Sequence, residues 1–313
     1  MADPLQLVFC GTPAFAVPTL AALATAGFSL KLVVTQPDRP RGRGLELTAS
    51  PVKQKAVELG LLVTQPDKIK NNQEFRTQLE AIHPDAIIVV GYGRIIPQWM
   101  IDLPPFGNLN LHASLLPKYR GAAPLQWAIA SGENVTGVTT MRIDAGLDTG
   151  DILLQKELPI APNDTAVTLA PRLAEIGADL MIETLHGLTA GALHARPQDH
   201  SQASLAPILN KEDGRIDFHF TAQEICNRLR GFQPWPGAFT TFRGKNLQVW
   251  NAAVVESRSL PEGELRIEQD ILMAGCHGDT GLSLLEVQPE GKKRMQGRDF
   301  LHGYHPRNGE KLG

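Results

Sequence analysis

Short apolar runs alternate with helix-period segments through the first half of this chain. Leu5 to Cys10, Leu30 to Thr35, Ala86 to Val90, Leu109 to Leu111 and Val138 to Met141 predict buried strands. Between them, residues 14–25, 51–59, 73–81 and 124–130 carry the spacing of helices. Strands that alternate with helices predict an α/β unit, Rossmann-like, with a mostly parallel sheet covered on both faces. Such sheets hold ligands beyond the carboxyl ends of their strands, where the strand order reverses. Gly11-Thr12-Pro13 and the stretch from Asn110 to Ser114 are the candidates for that crevice.

The pattern then changes. Asp164-Thr165 reads as a helix start, and Leu169, Leu173, Ile176, Leu180 and Leu185 continue one apolar face, with a kink or late start predicted at Pro171. From Thr189 to Pro207 the chain is rich in Ala, His, Gln, Ser and Pro and has no sustained period, which predicts a surface linker. Beyond Asn210 come a helix at 222–229 and short alternating runs at 238–242, 247–255, 271–274 and 282–287, punctuated by Gly and Pro. These predict a small β-barrel domain. The expected organisation is a catalytic domain over 1–188, a linker over 189–208 and a β domain over 209–313.

Composition narrows the class. In 313 residues, 42% hydrophobic and 20% charged content is ordinary for a water-soluble globular protein. The start, Met1-Ala2-Asp3-Pro4, lacks a signal-peptide pattern, so a cytoplasmic enzyme is expected. Cys10, Cys226 and Cys276 are isolated, which predicts reduced thiols, and no zinc-type spacing occurs, which predicts no metal. A net charge of -3 does not advertise a nucleic-acid binder. The distribution qualifies this: Arg39, Arg41 and Arg43 fall within five residues, and Lys292, Lys293, Arg294 and Arg298 within seven. Local patches can hold RNA while the sum stays negative.

The densest chemistry lies between Asn108 and Asp151. In the alternating run Asn108-Leu109-Asn110-Leu111-His112, Leu109 and Leu111 share one face of a strand and Asn108, Asn110 and His112 the other. An amide, an imidazole and the later carboxylate of Asp148 are the parts that a transfer at a carbonyl carbon needs: an oxyanion donor, a proton carrier and a group that orients it. Taken singly, each has a plain alternative: Asn110 as a strand cap, His112 as a satisfied half-buried histidine, and Asp148, before Thr-Gly, as a turn residue. Gly91-Tyr92-Gly93 is not a GxGxxG fingerprint because Ile96 stands at its last position, and no GxxxxGK[ST] is present. A nicotinamide dehydrogenase and a P-loop enzyme are therefore disfavoured.

His112-Ala113-Ser114-Leu115-Leu116-Pro117-Lys118-Tyr119-Arg120-Gly121 resembles the signature of the 10-formyltetrahydrofolate-dependent formyltransferases. Phe9 to Pro13, Thr35 to Gly44 and Phe232 to Gly237 extend the resemblance over nearly the whole chain. It implies a formyl transfer with 10-formyltetrahydrofolate as donor, and an oligonucleotide-binding (OB-like) barrel in the carboxy-terminal position. Asn110, His112 and Asp148 match the family's catalytic positions. Ser114, Leu115, Leu116 and Pro117 match its folate-binding segment, and Gly91 and Tyr92 are expected to contact the folate ring through backbone. The loop bearing Arg39, Arg41 and Arg43, together with the barrel, implies the members that act on the methionine of initiator methionyl-tRNA, with these arginines in the acceptor arm. The alternative is an amino sugar or a nucleotide precursor as acceptor, or water in a hydrolytic relative. A monomer is expected. For Arg120, holding an anion and bracing the loop both stay open.

Overall fold

The computed structural model describes residues 4–41, 46–257 and 259–313. The chain forms two compact units: one holds the residues up to Pro124 with Val135–Pro159 and Ala170–Pro207, the other Leu125–Asn134, Ile160–Leu169 and Ile208–Gly313.

In the first unit the strands are β1 (Gln6–Gly11), β2 (Ser29–Val34), β3 (Arg39–Arg41), β4 (Glu46–Thr48), β5 (Val63–Thr64), β6 (Ala86–Val90), β7 (Asn108–His112), β8 (Arg120–Gly121), β9 (Val135–Arg142), β10 (Ile152–Pro159) and β11 (Leu205–Ala206). Its helices include α1 (Val17–Thr25), α2 (Pro51–Glu58), α3 (Gln73–Ile82) and α4 (Gln98–Ile101). Local chemistry sets the helix starts. Ser50 accepts from the Lys53 amide ahead of Pro51, and Asn72 accepts from the amide of Phe75.

Seven strands make one sheet in the order β10-β9-β7-β6-β1-β2-β5. β1, β2, β5, β6 and β7 run parallel, while β9 and β10 run antiparallel at one side. The mostly parallel sheet is thus present. From β1 the order departs both ways, through β2 to β5 and through β6 to β7, so the reversal lies between β1 and β6. Every residue of β6 is buried because both faces are covered, and Val8, Cys10, Leu32, Val34, Ile87 and Val89 pack with Phe75, Leu79 and Tyr92. Each such buried aliphatic side chain contributes about 1.5–3 kcal/mol. Double coverage also modifies the reading of β7. Asn108 does lie opposite the leucine face, yet it is fully buried, its amide donating to the carbonyls of Met100 and Ile101.

α5 (Pro124–Ala130) and α6 (Ala166–Thr189) come next in helix order. α6 runs without a break through Pro171, close to its start, where the one lost backbone bond falls on the carbonyl of exposed Val167. Residues 189–207, expected as a linker, lie with the first unit up to Pro207, where β11 pairs in parallel with β8.

The second unit contains α7 (Ala222–Gly231), β12 (Ala238–Phe242), β13 (Lys245–Glu256), β14 (Leu265–Glu268), β15 (Ile271–Cys276), β16 (Thr280–Pro289), β17 (Met295–Gln296) and α8 (Gly297–Tyr304). A capping box between Thr221 and Glu224 opens α7. The antiparallel path is β12-β13-β16-β15-β14, with β17 on β16. The last residues bridge its two ends: Leu312 donates to Gly263 and forms an isolated antiparallel bridge with Phe242, while Leu265 donates to Glu310 and Gly313 donates to Thr241. The sheet therefore closes around Leu247, Val249, Leu272, Leu282 and Val287, with Ile225 and Leu229 of α7 in the same core. Phe232 is buried edge-on against Trp127, whereas Trp235, three residues from it in a proline-flanked turn, is 56% exposed.

Candidate active site at the carboxyl ends of the sheet

Asn110 lies within β7 and His112 is its last residue, one strand over from the reversal between β1 and β6. His112 is 5% exposed, and its Nε2 lies 2.9 Å from the carbonyl oxygen of Tyr119. A carbonyl can only accept, so Nε2 carries a proton and Nδ1 is the nitrogen left for exchange. Nδ1 faces Oδ2 of Asp148 at 3.6 Å. The same oxygen accepts from the Gly121 amide at 2.8 Å. The structure thus brings His112 and Asp148 together although 36 residues separate them in sequence. Asn110 is half-buried, and its side-chain amide has no partner among the described residues.

Two non-glycine residues on either side of this pair adopt left-handed backbone: Tyr119 at φ 61° and Asp148 at φ 50°. Each such position costs on the order of 1 kcal/mol and persists only where neighbours enforce it. Gly121, at φ 122°, is part of the enforcement. A Cβ there would meet the Ala206 carbonyl oxygen at 2.7 Å. Gly121→Ala is expected to push the 120–121 backbone off β11 and withdraw the amide from Asp148. We expect at least a roughly 100-fold fall in kcat, with folding retained, as checked by turnover beside circular dichroism.

Arg120 and Gln198 were not assigned by the sequence. Arg120 is buried and donates from Nε and Nη2 to Oε1 of Gln198 at 3.1 and 2.6 Å, with Nη2 also 3.1 Å from Nδ1 of His200. Gln198 donates in turn to the carbonyls of Asp148 and Gly150 at 2.9 and 2.7 Å. Of the two readings left open for Arg120, its contacts are those of a brace. No sequence signal marks Gln198: it lies in an aperiodic stretch, and its bonds reach across about fifty positions to backbone atoms.

The expected folate-binding residues divide between interior and surface. Ser114 is fully buried, its hydroxyl donating to the Lys118 carbonyl, and Leu116 packs with Met141 and Ile152. Leu115 and Pro117 remain partly exposed. Gly91 has φ 55°, and a Cβ there would strike Pro13 at 2.8 Å, so only glycine suits. The Tyr92 ring is buried beside Cys10, and burial pushes its hydroxyl pKa well up. Its carbonyl accepts from Thr12 and Gln36. Only backbone at Tyr92 can reach a ligand. Beyond Gly93, an open cleft of about 410 Å³ is lined by Lys68, Ile69, Lys70, Asn71, Arg94 and Ile95, and the Arg94 Nε is buried without a partner.

Arg39–Arg41, expected in a loop, form β3, which pairs antiparallel with β4 from Arg39↔Thr48 to Arg41↔Glu46. Arg39 is exposed and donates to Gln36 at 3.3 Å, Arg41 ends β3, and Arg43 falls outside the described residues. Nearby Asp38 is held below its usual carboxylate range by hydrogen bonds from Lys53 and Gln65. Thiol chemistry finds no support: burial pushes Cys226 up to about 11 and Cys276 up to about 12, and Cys10 higher still. Among the described residues no helix is long and apolar enough to cross a membrane, and no cluster of His, Cys, Asp and Glu could hold a metal.

An unpartnered amide, an imidazole fixed by Tyr119 and a half-buried carboxylate thus lie together near the carboxyl ends of the parallel strands. The chain belongs to the formyl transferase family: the family model for formyl transferase matches residues 5–185, and that for its C-terminal domain residues 208–305. It is 67% identical over 307 residues to the methionyl-tRNA formyltransferase of Koribacter versatilis, covering 98% of each chain. It is 63% identical over 301 residues to that of Acidobacterium capsulatum, covering 96% of each. Among solved structures, an N-formyltransferase from Helicobacter canadensis, in complex with folinic acid and dTDP-3-aminofucose, superposes with a TM-score of 0.66 at 20% identity. That likeness covers 91% of this chain and 99% of the other, and it shows the shared fold.

Proposed function

We propose that this protein transfers the formyl group of 10-formyltetrahydrofolate to the α-amino group of methionine on initiator methionyl-tRNA, giving N-formylmethionyl-tRNA for translation initiation. The observation that carries this reading is the likeness to proteins of that activity across both domains, 67% over 98% of each chain. The reading includes a monomer acting in the cytoplasm.

The residues fit a flat donor with an anionic tail. Gly91 leaves the end of β6 bare of side chain, Leu115 and Pro117 offer apolar surface, and the cleft beyond Gly93 presents Lys68, Lys70 and Arg94 to carboxylates. In the reaction the amine attacks the formyl carbon, a tetrahedral oxyanion forms, and its collapse breaks the bond to the folate nitrogen. Asn110 donates its amide to the oxyanion, and such a donor is typically worth about 3–4 kcal/mol. His112 relays the proton that the amine must lose and the folate nitrogen must gain, using Nδ1 because Nε2 is committed to Tyr119. The Nε2 bond to Tyr119 keeps the ring in that orientation, and the Asp148 carboxylate, which accepts from Nδ1 once that nitrogen takes the proton, stabilises the positive charge the ring acquires.

The test is formyl transfer from 10-formyltetrahydrofolate to charged initiator tRNA, beside elongator methionyl-tRNA and a control without tRNA. Selective transfer to the initiator is the expected result. Release of formate alone, or formylation of a small amine only, would move the acceptor. Arg39, Arg41 and Arg43 are assigned to the tRNA. Changing Arg39 and Arg43 together to Ala is expected to raise the tRNA KM roughly tenfold and to flatten its salt dependence, with kcat within about twofold. An unchanged salt slope in steady-state kinetics would return these arginines to plain solvated surface.

A further inference from the structure

We propose that Gln198 is a positioning residue for the transfer, holding both partners of His112 from a segment that neither family match covers. The matches end at 185 and resume at 208, and Gln198 lies between them. The inference rests on the catalytic reading of His112 and Asp148.

Gln198 is 6% exposed and every hydrogen-bonding capacity of its amide is in use. Nε2 donates to the carbonyls of Asp148 and Gly150, and Oε1 accepts twice from Arg120. The amide therefore has one workable orientation. Turned over, it would set its oxygen against two carbonyls and its NH2 against a guanidinium.

What it holds gives the amide its role. Arg120 stands between Tyr119, whose carbonyl takes the Nε2 proton of His112, and Gly121, whose amide holds the Asp148 carboxylate. Asp148 itself is the left-handed residue whose carbonyl Gln198 grips. One buried side chain thus fixes the segment that fixes Nε2 and the turn that faces Nδ1. Ser204, from the same stretch, adds to the grip by accepting from the amides of Tyr119 and Arg120. A plain packing residue would not need to join these two backbones through both ends of one amide.

Loss of Gln198 should let the left-handed turn at Asp148 relax. A shift of about 1 Å at a catalytic group can cost 100-fold in rate. The experiment measures kcat and KM for Gln198→Ala and Gln198→Glu, each alone and combined with Asp148→Ala, with thermal unfolding as a control for fold. Gln198→Glu keeps the acceptor for Arg120 and removes the donors to Asp148 and Gly150, so it carries the test if the alanine variant folds poorly. Expected is a roughly 10- to 100-fold fall in kcat for either variant, with KM for both substrates within about twofold. In the Asp148→Ala background the further change should be several-fold smaller than in the parent, because only the Tyr119 side remains to be held. An equal fall in both backgrounds, or turnover at the parental rate in folded single variants, overturns the proposal. Asp148→Ala alone at the parental rate overturns the catalytic reading, and the proposal with it.

Discussion

Replacing His112 with alanine is expected to cut formyl transfer to near background while initiator methionyl-tRNA binds as tightly as before. The ring is almost wholly buried, so its removal leaves the tRNA-facing surface unaltered and takes away the proton carrier. General acid–base catalysis accounts for about 10²–10⁴ in rate, so the variant should fall to the background of the remaining oxyanion donor and substrate alignment. The Tyr119 carbonyl also loses the proton it accepts, at a cost of about 1 kcal/mol in stability. Single-turnover transfer and equilibrium tRNA binding separate the two effects. Transfer at the parental rate would remove His112 from the mechanism and leave it as a satisfied interior histidine.

Asp148→Asn should lower kcat by roughly 10²–10³-fold with little change in either KM. The substitution is nearly isosteric, and an asparagine Oδ1 can still accept from the Gly121 amide. Asparagine also tolerates left-handed backbone, so the turn survives. What disappears is the negative charge 3.6 Å from Nδ1 of His112. A folded variant with the expected loss assigns the effect to charge, whereas parental turnover would make Asp148 a turn residue only.

The parallel core was legible because strands buried on both faces read as unbroken apolar runs. Ala86–Val90 is such a run, and its bounds agree with the prediction. β5 and β10 were missed for opposite reasons. Val63–Thr64 is too short to show a period, and Ile152–Pro159 pairs antiparallel at the side of the sheet, where Lys156 and Glu157 interrupt the apolar pattern. α8 escaped because an eight-residue helix with two glycines and few apolar positions carries a weak signal. Pro171 suggested a kink, yet the helix continues, since one backbone bond near its start is a small loss beside the packing of Leu169, Leu173 and Leu180.

Among the candidate residues, Asn110 and His112 stood out through strand alternation, whereas Asp148 came from the family resemblance, its turn chemistry alone favouring a turn residue. Their approach to one another was not legible, because it depends on tertiary hydrogen bonds made by backbone groups. Tyr92 shows the limit of reading a side chain from its motif: the ring fills the core and only its main chain lies at the crevice. Arg120 shows the same limit, as a residue of the recognisable signature whose purpose depends on a glutamine 78 positions away.

The closing of the β-barrel by residues 310–313 has a consequence for how the second unit comes into being. Synthesis proceeds from the amino terminus, so β12 and β14 both precede the segment that joins them. While a nascent chain lacks these residues, it carries two strand edges with unsatisfied amides and carbonyls, the surface on which edge-to-edge aggregation begins. Closure of the barrel thus waits until residues 310–313 are free to pair, after β12 and β14 have been made.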